Sequence, residues 1–137
     1  MAAVKESGLG WTTFSVDDSG GSVCAIINDV TSLEFATPRG VQEVTGIDKS
    51  AIERLLLLAD MSVTPQGVFD DQASQAHAVF KTVPSSSVQR TTTIAVSGNT
   101  LAAELLYSDY ALTRAASGEL TWTAPGALAN GAVPTWA

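Results

Sequence analysis

A chain of 137 residues has room for one domain of ordinary size, and with 45% hydrophobic against 15% charged residues it is built to bury a core. Fourteen acidic residues against seven basic ones give a net charge of −7, and the bases (Lys5, Arg39, Lys49, Arg54, Lys81, Arg90, Arg114) stand singly, which excludes a surface made to grip nucleic-acid phosphates. Cys24 is the only cysteine, so no intrachain disulfide forms, and no run reaches the roughly 18 apolar residues of a membrane span. The first residues lack an apolar leader core, so synthesis in the cytosol is expected. The charged fraction lies below the about 25% of an average chain, which points to a surface partly covered by other subunits.

Residues 11–16 are β-rich, and Asp17, Asp18, Ser19, Gly20 and Gly21 supply turn chemistry. Residues 22–28 return as a second strand and 30–35 form a third. Cys24 lies in an apolar run and reads as a small buried hydrophobe. Residues 36–50 are polar and loop-like but carry Val41, Val44 and Ile47. Loops of more than about 12–15 residues are usually functional or disordered. This one reads as an extended arm docking on a neighbour, or else as a β-hairpin folded on its own domain.

Residues 50–59 are ambiguous: Ser50 and Glu53 match a helix capping box, whereas four consecutive leucines suit a strand buried on both faces. In residues 61–69 the odd positions (Met61, Val63, Pro65, Gly67, Phe69) alternate with mostly polar ones, a strand in which Pro65 implies an edge or a bulge. A helix over 73–83 follows, capped by Asp70 or Asp71, with Ala73, Ala76, His77 and Phe80 on one face. Pro84 and the serines behind it stop the helix. Strands are then predicted over 88–96, 101–107, 110–114 and 120–124, with turns at Gly98 and Gly118. The tail ends in Trp136, which is costly to leave in water, so the tail is expected to pack.

Nothing in the sequence supplies catalytic machinery. The acid pairs Asp17–Asp18 and Asp70–Asp71 are explained by a turn and a helix start. His77 is the only histidine and has no cysteine pair beside it, so no metal site is expected. No phosphate loop and no nucleophile elbow occurs. A non-enzymatic protein without cofactors is the expectation.

The segment from Leu58 through Asp60, Ser62, Thr64 and Gly67 to Asp70, followed by Ala76, His77 and Phe80, resembles the middle of the major tail (tail tube) proteins of long-tailed bacteriophages, especially those of actinobacteria. Asp29 to Glu34 is similar to that family's strand before its long loop, and Trp122, Asn130, Gly131, Pro134 and Trp136 to its C-terminal strands. The resemblance implies one domain over 1–137: a mainly β fold, a sandwich or barrel of antiparallel strands with one flanking α-helix and a long extended loop. It favours strand over helix before Asp60. It further implies hexameric rings stacked into a tube that DNA traverses without specific binding, in a virion tail, with terminator, tape-measure and distal tail proteins as partners and no membrane.

In that setting residues 36–50 become an arm between subunits, with Pro38, Arg39, Val41, Glu43, Val44 and Ile47 as contact residues. Competing readings are a capsid decoration or head–tail connector protein and, from another class, a small carbohydrate-binding β-sandwich using Trp11, Trp122 or Trp136.

Overall fold

The computed structural model describes residue 5 and residues 9–137; most of the N-terminal segment read above for a leader lies outside the described residues. The fold is mainly antiparallel β, a curled sheet forming a half-barrel with one short helix. Its strands are β1 (Trp11–Asp17), β2 (Val23–Ala25), β3 (Val30–Ala36), β4 (Arg39–Glu43), β5 (Arg54–Ala59), β6 (Ser62–Val68), β7 (Arg90–Val96), β8 (Asn99–Tyr107), β9 (Ala111–Arg114), β10 (Leu120–Thr123) and β11 (Gly126–Leu128); α1 is Ala76–Phe80. The main sheet runs β2-β1-β7-β8-β11-β6-β10-β9, and β3 pairs with the other side of β6.

The alternation read from the sequence sets which side chains face inward. Odd positions of β6 are buried, as are Arg90, Thr92 and Ile94 in β7, Leu101, Leu105 and Tyr107 in β8, and Trp122 in β10. With Phe14, Val16 and Met61 they form one core inside the curl. Phe80 of α1 seals it, its ring 5.1 Å from Tyr107 and 5.3 Å from Trp122. Cys24 is part of this core, and burial pushes its thiol pKa up, so it is an inert hydrophobe.

Pro65 sits in a strand paired on both sides rather than at an edge. Its carbonyl accepts the Ala124 N–H at 3.2 Å, and the N–H and C=O of one residue point to the same side of a strand. The missing donor therefore faces the Ala124 carbonyl, between β10 and β11, where the register with β6 runs on unbroken. The pair keeps the bond from Ala124 and forfeits the return bond that a residue with an N–H would make.

The helix is shorter than the 73–83 read from the sequence, because its first turn is capped from elsewhere. Asp70 Oδ1 accepts the Gln72 N–H at 3.0 Å, which makes a local turn. The N–H of Ala76 instead donates to Asp29 Oδ2 at 2.9 Å, across 47 residues. Ala73, predicted on the packed face, is exposed. At the other end the buried Arg90 donates to the Val79 carbonyl at 2.9 Å, the Asp17 carbonyl at 3.1 Å and Thr82 Oγ1 at 3.0 Å. Burial lowers the Arg90 pKa, and these acceptors compensate a charge that no carboxylate pairs directly.

Asp29 holds its position because Gly67 lets the backbone close in. A Cβ on Gly67 would lie 1.7 Å from the Asp29 carbonyl oxygen. Gly67→Ala must therefore separate β3 from β6, and a loss of about 2–3 kcal/mol is expected in chemical denaturation.

Burial raises the Asp29 pKa, the Ala76 N–H opposes this, and the neighbouring Asp70 adds to the rise. The folded state thus holds the Asp29 proton more tightly than the unfolded chain does. This contribution to stability is complete below the ordinary carboxyl range and is lost as pH rises through the folded-state value. Asp29→Asn keeps an acceptor for Ala76 and removes the charge, so it should match or exceed the wild type in stability at pH 7, with the difference shrinking towards pH 4. Asp29→Ala leaves a buried N–H unpaired and should cost about 1–2 kcal/mol. Thermal melts across that pH range check both.

Candidate intersubunit surface

The register of β3 with β6 ends at Ala36↔Ser62. Beyond it the chain does not turn back but continues as a ribbon: the Asp60 N–H donates to the Pro38 carbonyl at 3.1 Å, and β4 pairs with β5 as a separate two-stranded sheet. Residues 36–50 thus contain one strand of a projecting hairpin, and the leucine run forms the other. The helix alternative for residues 50–59 is replaced by strand from Arg54 onward. Glu53, read as half of a capping box, instead accepts the Gly46 N–H at 3.4 Å inside the hairpin tip, while the Thr45 hydroxyl accepts the Glu53 N–H at 2.9 Å.

The contact residues predicted from the sequence all lie on this hairpin or at its base. Pro38 closes the base through its carbonyl. Arg39 turns back on its own ribbon, Nε donating to the Leu57 carbonyl at 2.8 Å and Nη2 to that of Leu56 at 3.4 Å. Glu43 accepts the Thr45 hydroxyl at 3.3 Å, and the Val44 N–H bonds the Glu53 carbonyl. Val41 is 56% exposed and Ile47 at the tip fully so.

The sequence alone does not place Ile52 and the four leucines on the surface; it fits the run to a capped helix or to a strand buried on both faces. Leu55 and Leu56 are each 54% exposed, Leu57 43% and Leu58 91%. The signal was present: four apolar residues in a row mark a strand covered on both faces, and this chain does not supply the cover. A cleft of ≈ 720 Å³ lies against Leu56, Leu57 and Leu58, with Val133 of the tail on its rim. The tail itself bonds β8, with the Thr100 N–H to the Ala137 carbonyl at 2.9 Å and the return bond at 2.8 Å. Trp136 remains 48% exposed, its ring 6.0 Å from Phe35.

The residues weighed for chemistry are structural. His77 is half-buried with its ring 4.8 Å from Phe69, and Nδ1 lies 3.1 Å from the Tyr110 hydroxyl, whose pKa burial pushes up to about 12. Asp18 Oδ1 accepts the N–H groups of Gly20 and Ser22, both at 2.9 Å, which accounts for the turn. Trp122 is buried. Among the described residues no group of three His, Cys, Asp or Glu side chains could hold a metal ion, and no helix is long and apolar enough to cross a membrane.

Two solved chains share this architecture, that of a tail-tube-like fold. One is in the virion of a native gene transfer agent particle: TM-score 0.74, 14% identity, covering 96% of this chain and 99% of that one. The other is in the tail of an empty gene transfer agent particle with C6 symmetry: TM-score 0.74, 15% identity, covering 97% of this chain and 98% of that one. No family model matches the chain, and no curated protein does. At such identity the likeness is one of fold.

The Asp60-to-Pro38 bond has the direction of the bond that closes a two-residue hairpin, donor on the later residue and acceptor on the earlier. Replacing residues 39–59 by Asn-Gly should therefore leave the main sheet intact. The excised protein is expected to melt cooperatively within about 4–8 °C of the parent, the span of about 1 kcal/mol for a domain of this size, as read by circular dichroism.

Proposed function

We propose that this chain is a structural subunit of a phage-like tail, assembling into hexameric rings that stack into a tube through which DNA passes. The observation that carries the reading is the projecting hairpin with uncovered apolar side chains on a chain that matches, over nearly its whole length, chains of gene transfer agent particles, one of them in a C6-symmetric tail. A two-stranded ribbon is marginal alone in water, and a partner supplies what the monomer lacks. Pro38, Arg39, Val41, Glu43, Val44 and Ile47 belong to that contact on this reading, together with the leucines of β5.

Charge supports the same role. A conduit must let phosphates slide, and a wall of clustered Lys and Arg would bind them through counterion release. Net −7 per subunit, repeated around a ring, repels the polyanion within a Debye length of about 8 Å at physiological salt. Terminator, tape-measure and distal tail proteins are the expected partners in such a tail.

Negative-stain electron microscopy of the concentrated protein is expected to show rings or tubes with six-fold end views. Isolated particles or trimers at all concentrations would instead favour a decoration protein. The hairpin-excised protein should remain monomeric under conditions that polymerise the parent.

A further inference from the structure

We propose that each β4–β5 hairpin is clasped between two other copies of the chain, one on each of its faces. This rests on the reading above, that the chain assembles with itself, and specifies how.

The register defines the faces. Val41 lies opposite Leu56 and Glu43 opposite Arg54, so these four share one face. Gln42 lies opposite Leu55 on the other, where Leu57 also lies: its side chain covers Gly40, with Cδ1 3.1 Å from where a Cβ on that glycine would stand. Each face therefore presents half-exposed apolar side chains, Val41 and Leu56 on the first and Leu55 and Leu57 on the second. A ribbon resting on one surface alternates apolar and polar; one apolar on both faces is covered on both. A single globular body covers one face of a flat ribbon, so two bodies are required.

Charge identifies those bodies as copies of this chain. Residues 39–59 hold three bases, Arg39, Lys49 and Arg54, and three acids, Glu43, Asp48 and Glu53. The hairpin is neutral, and the whole charge of −7 resides on the rest of the molecule. A neutral apolar ribbon can enter an assembly of acidic bodies without adding to their repulsion. Those bodies also expose two apolar hollows: one of ≈ 320 Å³ lined by Trp11, Ile27 and Leu33, and one of ≈ 340 Å³ beside Val96 and Trp136. A ribbon on one part of a chain and hollows on another make a head-to-tail contact, which propagates into rings or filaments.

The test charges one face at a time in the full chain. Leu56→Asp and Leu55→Asp are made separately, with thermal melts confirming that each folds, and polymer is measured by sedimentation and negative stain. Each is expected to lose polymer at least about tenfold, a cost of about 1.4 kcal/mol of contact. If either variant polymerises like the parent, that face is free and the two-copy clasp is overturned, while the reading as a tail subunit stands. If the parent forms no polymer, the reading itself falls. As a second readout, Leu55→Cys and Leu56→Cys should each react with a maleimide at least about tenfold more slowly in polymer than in monomer, and unchanged reactivity of either would likewise overturn the clasp.

Discussion

Strand β6 is the element on which the other parts of the fold depend. It is hydrogen-bonded along both edges, to β3 on one side and to β10 and then β11 on the other. A proline in so paired a strand costs one ladder bond: Pro65 accepts the Ala124 N–H and cannot return a donor to the Ala124 carbonyl. Along the same line the partner on the far edge changes from β9 beside β10 to β8 beside β11, and the sheet curls around the core instead of running flat. The opposite edge of β6 guides β3, and past Ala36 and Ser62 the same two segments leave the body as β4 and β5. The curl of the sheet and the projection of the hairpin both run through this one strand.

The helix is too short to be stable by itself, since isolated helices below about 12–15 residues are marginal. Its five residues are held from both ends by groups distant in sequence: Asp29 at the first N–H, Arg90 at the Val79 carbonyl. Between them Phe80 and the half-buried His77 stack into an aromatic layer with Phe69, Tyr107, Tyr110 and Trp122. The contact of Gly67 with Asp29 ties this layer back to β6. Among the described residues the buried charged groups Asp29 and Arg90 thus serve architecture: Asp29 accepts a backbone N–H, and Arg90 donates to two backbone carbonyls and the Thr82 hydroxyl.

The parts legible in the sequence were those governed by period two. The inward faces of β6, β7, β8 and β10 follow directly from alternation, because one side of the sheet faces the core and the other does not. The mainly β class, the hairpin turns and the buried Cys24 were readable for the same local reasons. Three features were not, and each depends on a distant partner. The cap of α1 is Asp29 rather than the adjacent Asp70, which shortens the helix. Pro65 lies in a strand paired along both edges, which depends on β3, β10 and β11 and not on its neighbours in sequence. The leucines of β5 fit a capped helix or a strand buried on both faces; they form a strand, and their exposure depends on where the ribbon goes, which no local pattern encodes. As for the candidate surface, Val41 and Ile47 stood out as apolar residues in a polar stretch, but Leu55 to Leu58 were legible as surface only once the ribbon was seen to leave the body.

An uncovered apolar hairpin is also a hazard, since exposed edges pair indiscriminately. Three features restrain it. Arg39 spends its donors on the carbonyls of Leu56 and Leu57, occupying backbone acceptors near the ribbon's base, and charged residues stand at the tip, where Lys49 lies 3.5 Å from Asp48. The remaining restraint is the charge of the bodies: every approach of two copies brings two acidic molecules together, and this repulsion is weakened by salt over a Debye length of about 8–10 Å. In the two-copy clasp proposed above, association requires a geometry in which the neutral ribbon enters between bodies before their charges come close. On this argument the separation of a neutral apolar ribbon from an acidic globule suppresses disordered aggregation and admits ordered polymer, and raising ionic strength should shift the balance from monomer towards polymer.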